Sequence, residues 1–170
     1  MTIDDDGVHL TRLRVEDADE MAAVLADPAL HTHTGGRPAT REELARRYAV
    51  QTRGSSPDGR HRWFTWVIRL GDGRAVGYTQ ATLELATREV ELAWVVGVPW
   101  QGRGLARRAV ALTMAQLDGD EVSRWVAHVH PGHPASAAVA RGAGLRPTDR
   151  LVDGEVEWEA PGGGSVGVNG

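Results

Sequence analysis

The 170-residue chain reads as a mixed α/β (α+β) protein, with one mostly antiparallel central sheet of six to seven strands flanked by about four helices. Three observations predict this. Several short runs alternate apolar and polar residues, as half-buried strands do. Thr40 and Glu43 have the spacing of a capping box ahead of a helical run. A glycine-bearing stretch, "WQGRGLARRAV" at 100–110, joins a strand-like run to a helix-like one.

The elements follow in order. "VHLTRLR" at 8–14 alternates as a strand, and Met21, Val24 and Leu25 recur at helical spacing over 17–26 until Asp27-Pro28 stops them. "HTHTGGRPAT" is a loop by its Gly and Pro content, and the Thr40 box opens a helix to about Gln51. "RWFTWVIRL", a "GDGR" turn and "AVGYTQATLEL" form a hairpin, extended by "REVELAWVV" into a meander. The helix after the glycine stretch runs to about Leu117, then "SRWVAHVH" is a strand and "PASAAVARGAG" a short helix. "GLRPTDRLV" and "EVEWEA" are the final strands. Residues 1–160 are expected to form one domain, with 161–170 a flexible Gly-rich tail.

Composition narrows the class. A net charge of −4 supplies no basic field for nucleic acid. The absence of cysteine removes disulfides, thiolate catalysis and thiolate zinc sites together. The N-terminus "MTIDDDGVHL" lacks the apolar core of a signal peptide, and "LAWVVGVPW" is too short to span a bilayer. A soluble, cytoplasmic protein without a membrane partner is expected. All 19 basic residues are arginine, which a GC-rich genome explains without any functional cause.

The glycine stretch poses a charge problem. A helix N-terminus favours acids in its first turn, yet this one opens with Arg103, Arg107 and Arg108. A bound anion at the helix mouth reverses that logic; a solvent-facing helix surface is the alternative. Three phosphate-binding patterns compete. A P-loop fails for want of lysine, and a dinucleotide fingerprint fails at Arg107, where its third glycine belongs. The pattern [Q/R]-x-x-G-x-[G/A] is met by Gln101, Gly104 and Ala106. In it, loop and first-turn amides wrap a pyrophosphate, and glycine lets the backbone approach it.

At this point the sequence resembles the GNAT acyltransferase superfamily. "ELAWVVGVPWQGRGLARRAV" is similar to its acyl-CoA signature, and "VAHVHPGHPASAAVARGAGLRP" to its next strand and helix. "LTRLRVEDADEMAAVL" and "VGYTQATL" fit its N-terminal half more loosely, so the likeness spans roughly 8–160. The resemblance implies acetyl-CoA as acyl-donor cosubstrate and a splay between the fourth and fifth strands counted from Val8. It also implies that the backbone of Trp94, Val95 and Val96 pairs with the pantetheine arm. An amide near Val96 would polarise the thioester carbonyl. Gln101, Gly102, Arg103, Gly104, Leu105, Ala106 and Arg107 would hold the pyrophosphate. His133 stands where the family usually has Asn, and Ala140 where one branch has a tyrosine acid. The missing tyrosine favours the branch resembling RimJ/RimL-like N-acetyltransferases.

Catalytic candidates follow from the strand at 88–96. Glu89 and Glu91 share a face with Ala93 and Val95, opposite the apolar Val90, Leu92, Trp94 and Val96. Acids on a central strand are costly unless paired or wet. A substrate groove makes Glu91 the candidate base, directly or through water, with Glu89 behind it; an ion pair with an arginine is the other explanation. Ser136 falls where relatives place a serine toward the CoA sulfur, or is a surface serine. His31, His33, His128 and His130 offer no third metal ligand by spacing, so no metal is expected. The expected activity is acetyl transfer to a primary amine, on a small molecule or a peptide N-terminus, by direct attack in a ternary complex. The alternative is a non-catalytic acyl-CoA-binding sensor of the same fold. A monomer or homodimer fits either.

Overall fold

The computed structural model describes the backbone of residues 2–3 and the whole of residues 7–118 and 122–163. Among these, eight strands form one sheet: β1 (Thr2–Ile3), β2 (His9–Arg12), β3 (His61–Arg69), β4 (Ala75–Glu84), β5 (Glu89–Val96), β6 (Arg124–Val129), β7 (Arg146–Val152) and β8 (Glu155–Pro161). The four α-helices are α1 (Ala18–Val24), α2 (Arg41–Gln51), α3 (Leu105–Leu117) and α4 (Pro134–Gly142). Seven strands are those expected; β1 adds a two-residue eighth strand at the edge. The sheet order is β1-β2-β3-β4-β5-β6-β8-β7. The last strand runs to Pro161, and the Gly162 amide donates to the Ser123 carbonyl. The rest of the expected tail, 164–170, lies outside the described residues.

Local chemistry accounts for the helices. The Thr40 side chain accepts from the Glu43 amide while Glu43 reaches back to the Thr40 amide, so the predicted capping box forms. On α3, Leu105, Ala109, Val110 and Leu117 are buried along one stripe, against Val90, Leu92 and Val96 of β5. Helices α1 and α2 cover the opposite face with Met21, Val24, Leu44 and Tyr48, over Val67 and Ala75. Helix α4 packs on the α3 side, where its Ala140, with Leu145 just beyond the helix, joins Ala127, Val129 and Trp158 in one cluster. Among the described residues no helix is long and apolar enough to cross a membrane.

One buried polar pair ties α3 to the sheet. Thr113 Oγ1 donates to the Ala109 carbonyl at 2.9 Å, so the 2.7 Å contact with Thr79 Oγ1 must have Thr79 as donor.

Every pairing in the sheet is antiparallel except β5 with β6. Parallel neighbours need a crossover, and α3 supplies it. The parallel register runs from Glu89↔Arg124 to Leu92↔Ala127 and stops there, although β5 continues to Val96 and β6 to Val129. Beyond Leu92 the two strands part. The splay expected between the fourth and fifth strands is therefore present. Antiparallel pairing of β4 and β5 persists alongside it, as far as Gly77↔Val96. A Cβ on Gly77 would stand 2.1 Å from the Val95 carbonyl, so only glycine fits beneath the parting strand.

Candidate active site

The gap between β5 and β6 opens into a cleft of about 810 Å³. Its walls come from the free end of β5, the loop into α3, the end of β6, the start of α4, and the segment around Leu30 and His33.

The loop is held by its own sequence. The side-chain amide of Gln101 donates to the Val96 carbonyl at 2.9 Å, closing the turn onto the strand it leaves. The Trp100 amide donates to the Gly97 carbonyl, and the Trp100 ring lies where a Cβ on Gly97 would be, at 2.8 Å. Gly102 and Gly104 have φ of 78° and 73°, the left-handed region that favours glycine, and nothing lies within 4 Å of where their Cβ atoms would be. Gly104 is the N-cap of α3, no side chain caps the helix, and no acid stands in its first turn. The helix thus opens into the cleft through Gly104, Leu105, Ala106 and Arg107 with its uncapped amide end, a site suited to an anion. The stem of Arg107 lies against Gly142, 3.0 Å from where a Cβ there would be, which locks the mouth of α3 to α4. These residues fit a pyrophosphate: open glycines, an uncapped helix and arginines at its rim.

Along β5, Glu91, Trp94, Val95 and Val96 line the cleft, as do Gln101, Gly102, His133 and Ser136. Two expected residues do not. Arg103 is exposed outside the lining. Glu89 sits at the paired end of β5, 3.4 Å from Nη1 of Arg124, in the ion pair that was its other reading. Ala140 is fully buried in the α4 core, against Trp158.

His133 is the N-cap of α4, with its Nδ1 accepting from the Ser136 amide at 3.3 Å. It does what an Asn cap does, and thereby sets the turn that brings Ser136 to the cleft. Burial, followed by the nearby His33 and His130, pushes its pKa below the ordinary 6.5. The His33 ring lies tilted against both others, with centroids 4.6 Å from His130 and 4.8 Å from His133. Among the described residues no group of three His, Cys, Asp or Glu is placed to hold a metal ion.

The structure adds cleft residues that sequence reasoning did not assign: Tyr78, His128, His130 and Glu155. His128 is the most consequential. Its Nδ1 is 3.2 Å from Glu91 Oε1, and its Nε2 is 3.5 Å from Glu157 Oε2. Burial raises the pKa of Glu157, but hydrogen bonding and charge from Arg124, then the charge of Arg150, hold it below the usual carboxylate range. Alternation along "SRWVAHVH" was the available signal for His128, since it puts Arg124, Val126 and His128 on one face.

A mixed sheet parted at its one parallel pair, with an uncapped helix mouth beside the gap, has the architecture of the acyltransferases that the loop motif resembles. The family model described as Acetyltransferase (GNAT) domain matches residues 8–146. The chain belongs to the GNAT acetyltransferase family. A search of curated proteins finds no match. Solved structures similar to it include an acetyltransferase from Thermus thermophilus, with 26% identity, a TM-score of 0.73, and coverage of 91% of this chain and 96% of that one. RimL, the ribosomal L7/L12 alpha-N-protein acetyltransferase in complex with coenzyme A, has 14% identity, a TM-score of 0.76, and coverage of 92% and 94%. Spermidine N-acetyltransferase from Vibrio cholerae, in complex with CoA and spermine, has 15% identity, a TM-score of 0.72, and coverage of 90% and 93%.

Proposed function

We propose that the cleft transfers an acetyl group from acetyl-CoA to a primary amine by direct attack in a ternary complex. One observation carries this reading: the uncapped α3 mouth and the carboxylate of Glu91 face a single cleft, opened where β5 and β6 part. The CoA complexes among the similar structures support the donor.

The loop from Gln101 to Arg107 holds the pyrophosphate, and the backbone of Trp94 to Val96, which β6 leaves unpaired, pairs with the pantetheine arm. The amide near Val96 polarises the thioester carbonyl. The amine nitrogen attacks that carbon, forming C–N and breaking C–S. The nitrogen gives up a proton to Glu91, and the Ser136 hydroxyl donates a hydrogen bond that stabilises the departing thiolate, which takes its proton from solvent. A lysine-like amine titrates near pH 10.4, so only about four in ten thousand are neutral at pH 7, which makes a base necessary.

The test measures free-thiol release from acetyl-CoA against amines of different pKa, with calorimetry of CoA, dephospho-CoA and ATP. Glu91→Gln is expected to lower turnover about a hundredfold with little change in CoA affinity. Tight CoA binding without thiol release on any amine would favour the non-catalytic acyl-CoA sensor; stronger binding of ATP than of CoA would remove both readings.

A further inference from the structure

The geometry points to His128 as a positioning residue that takes the acceptor's proton from Glu91, with Glu157 as the anchor that orients it. This rests on the acetyltransfer reading above.

His128 stands between two carboxylates on the same sheet face. Its Nδ1 is 3.2 Å from Glu91 on β5, and its Nε2 is 3.5 Å from Glu157 on β8, the residue paired with it across the β6–β8 ladder. The two partners differ in kind. The Glu91 side chain is 54% exposed and lines the cleft; that of Glu157 is 6% exposed. Glu157 also accepts from Arg124 Nη2 at 2.5 Å and lies 3.5 Å from Arg150 Nη1. A carboxylate so held stays ionised and fixed. It therefore orients the ring and does not compete for the proton.

Proton counting gives the ring its role. Both nitrogens face acceptors, so a singly protonated ring leaves one lone pair against a carboxylate, while a doubly protonated ring satisfies both contacts. A ring singly protonated on Nε2, toward Glu157, presents its Nδ1 lone pair to Glu91 and can take one proton there, one hydrogen bond from the cleft. A lone carboxylate ordinarily titrates near pH 4.3, far below any aliphatic amine, whereas an imidazole titrates near 6.5 and is better matched to a base acting near neutrality. The proton leaves the amine nitrogen for Glu91 Oε, passes to His128 Nδ1, and returns to solvent through the exposed Glu91 after the amide departs. No oxidant or further reactant is needed. Other ionisable groups on this sheet face are Glu89 on β5, Arg124 on β6 and Glu159 on β8, with Arg150 of β7 beside Glu157; His130 and Glu155 line the cleft.

The experiment compares wild type with His128→Gln, which keeps a polar group beside Glu91 but cannot take the proton. Thiol release is measured against pH with a high-pKa and a low-pKa amine, alongside CoA affinity and melting temperature. The expected result is a kcat loss of tenfold or more for the high-pKa amine and a smaller loss for the low-pKa one. CoA affinity should hold, and the acidic limb of the kcat/KM profile should move to lower pH. A folded His128→Gln protein with wild-type kcat and an unmoved limb overturns the relay and leaves the acetyltransfer reading intact. A wild type that binds acetyl-CoA but releases no thiol with any amine overturns both. As a readout independent of turnover, NMR titration of the His128 ring should move to lower pH in Glu91→Gln; an unmoved titration overturns the coupling.

Discussion

The side-chain amide of Gln101 donates to the main-chain carbonyl of Val96 at 2.9 Å, joining the start of the glycine loop to the strand end it has just left. The bond spans the Val98–Trp100 turn and sets the angle at which Gly102 and Gly104 meet the helix mouth. Gln101→Ala should therefore loosen the loop and weaken CoA binding by about fivefold to tenfold, the worth of one hydrogen bond of about 1 kcal/mol. Gln101→Glu should do more harm, since a carboxylate can only face the Val96 carbonyl as a second acceptor. Calorimetry on both variants measures this; CoA affinities equal to wild type would show that the loop holds its shape without the bond.

Thr79 and Thr113 give a stability prediction with a direction. Both are buried, Thr79 donates to Thr113, and Thr113 donates to the Ala109 carbonyl. Thr113→Val strands the Thr79 hydroxyl in the core and should cost about 1–3 kcal/mol. Thr79→Val leaves Thr113 its helix bond and should cost less. The double variant should cost less than the two singles summed, because removing both partners leaves no orphan. Urea unfolding of the three proteins decides it, and a costlier Thr79→Val would reverse the donor assignment.

His133 predicts an acid-sensitive α4. Its Nδ1 accepts the Ser136 amide, which requires that nitrogen unprotonated, and its folded pKa lies below the ordinary 6.5. The unfolded chain therefore takes the proton first. Stability from this cap is complete above about pH 6.5 and declines as pH falls from there through the lower folded pKa. His133→Asn keeps an acceptor at the cap without a titrating group. Its melting temperature should gain on wild type between pH 7.5 and pH 5.5. Parallel melting curves for the two proteins over that range would count against the cap as the source.

The sequence by itself determined the order of elements, the Thr40–Glu43 cap, the Gln101/Gly104/Ala106 loop and the polar face of β5, because each is a local pattern. Turn chemistry and side-chain periodicity act over a few residues, and a single strand carries its alternation wherever it pairs. Tertiary structure alone decided which of two acids on that face enters the cleft. Glu89 and Glu91 are equivalent by periodicity, but the parallel register places Arg124 opposite Glu89 and ends at Leu92↔Ala127. Glu91 therefore meets His128, 37 residues away, and through it Glu157. Period-two alternation assigns a residue to a face and says nothing of its neighbour across the ladder. That neighbour is set by register, and register depends on where the α3 crossover returns the chain to the sheet.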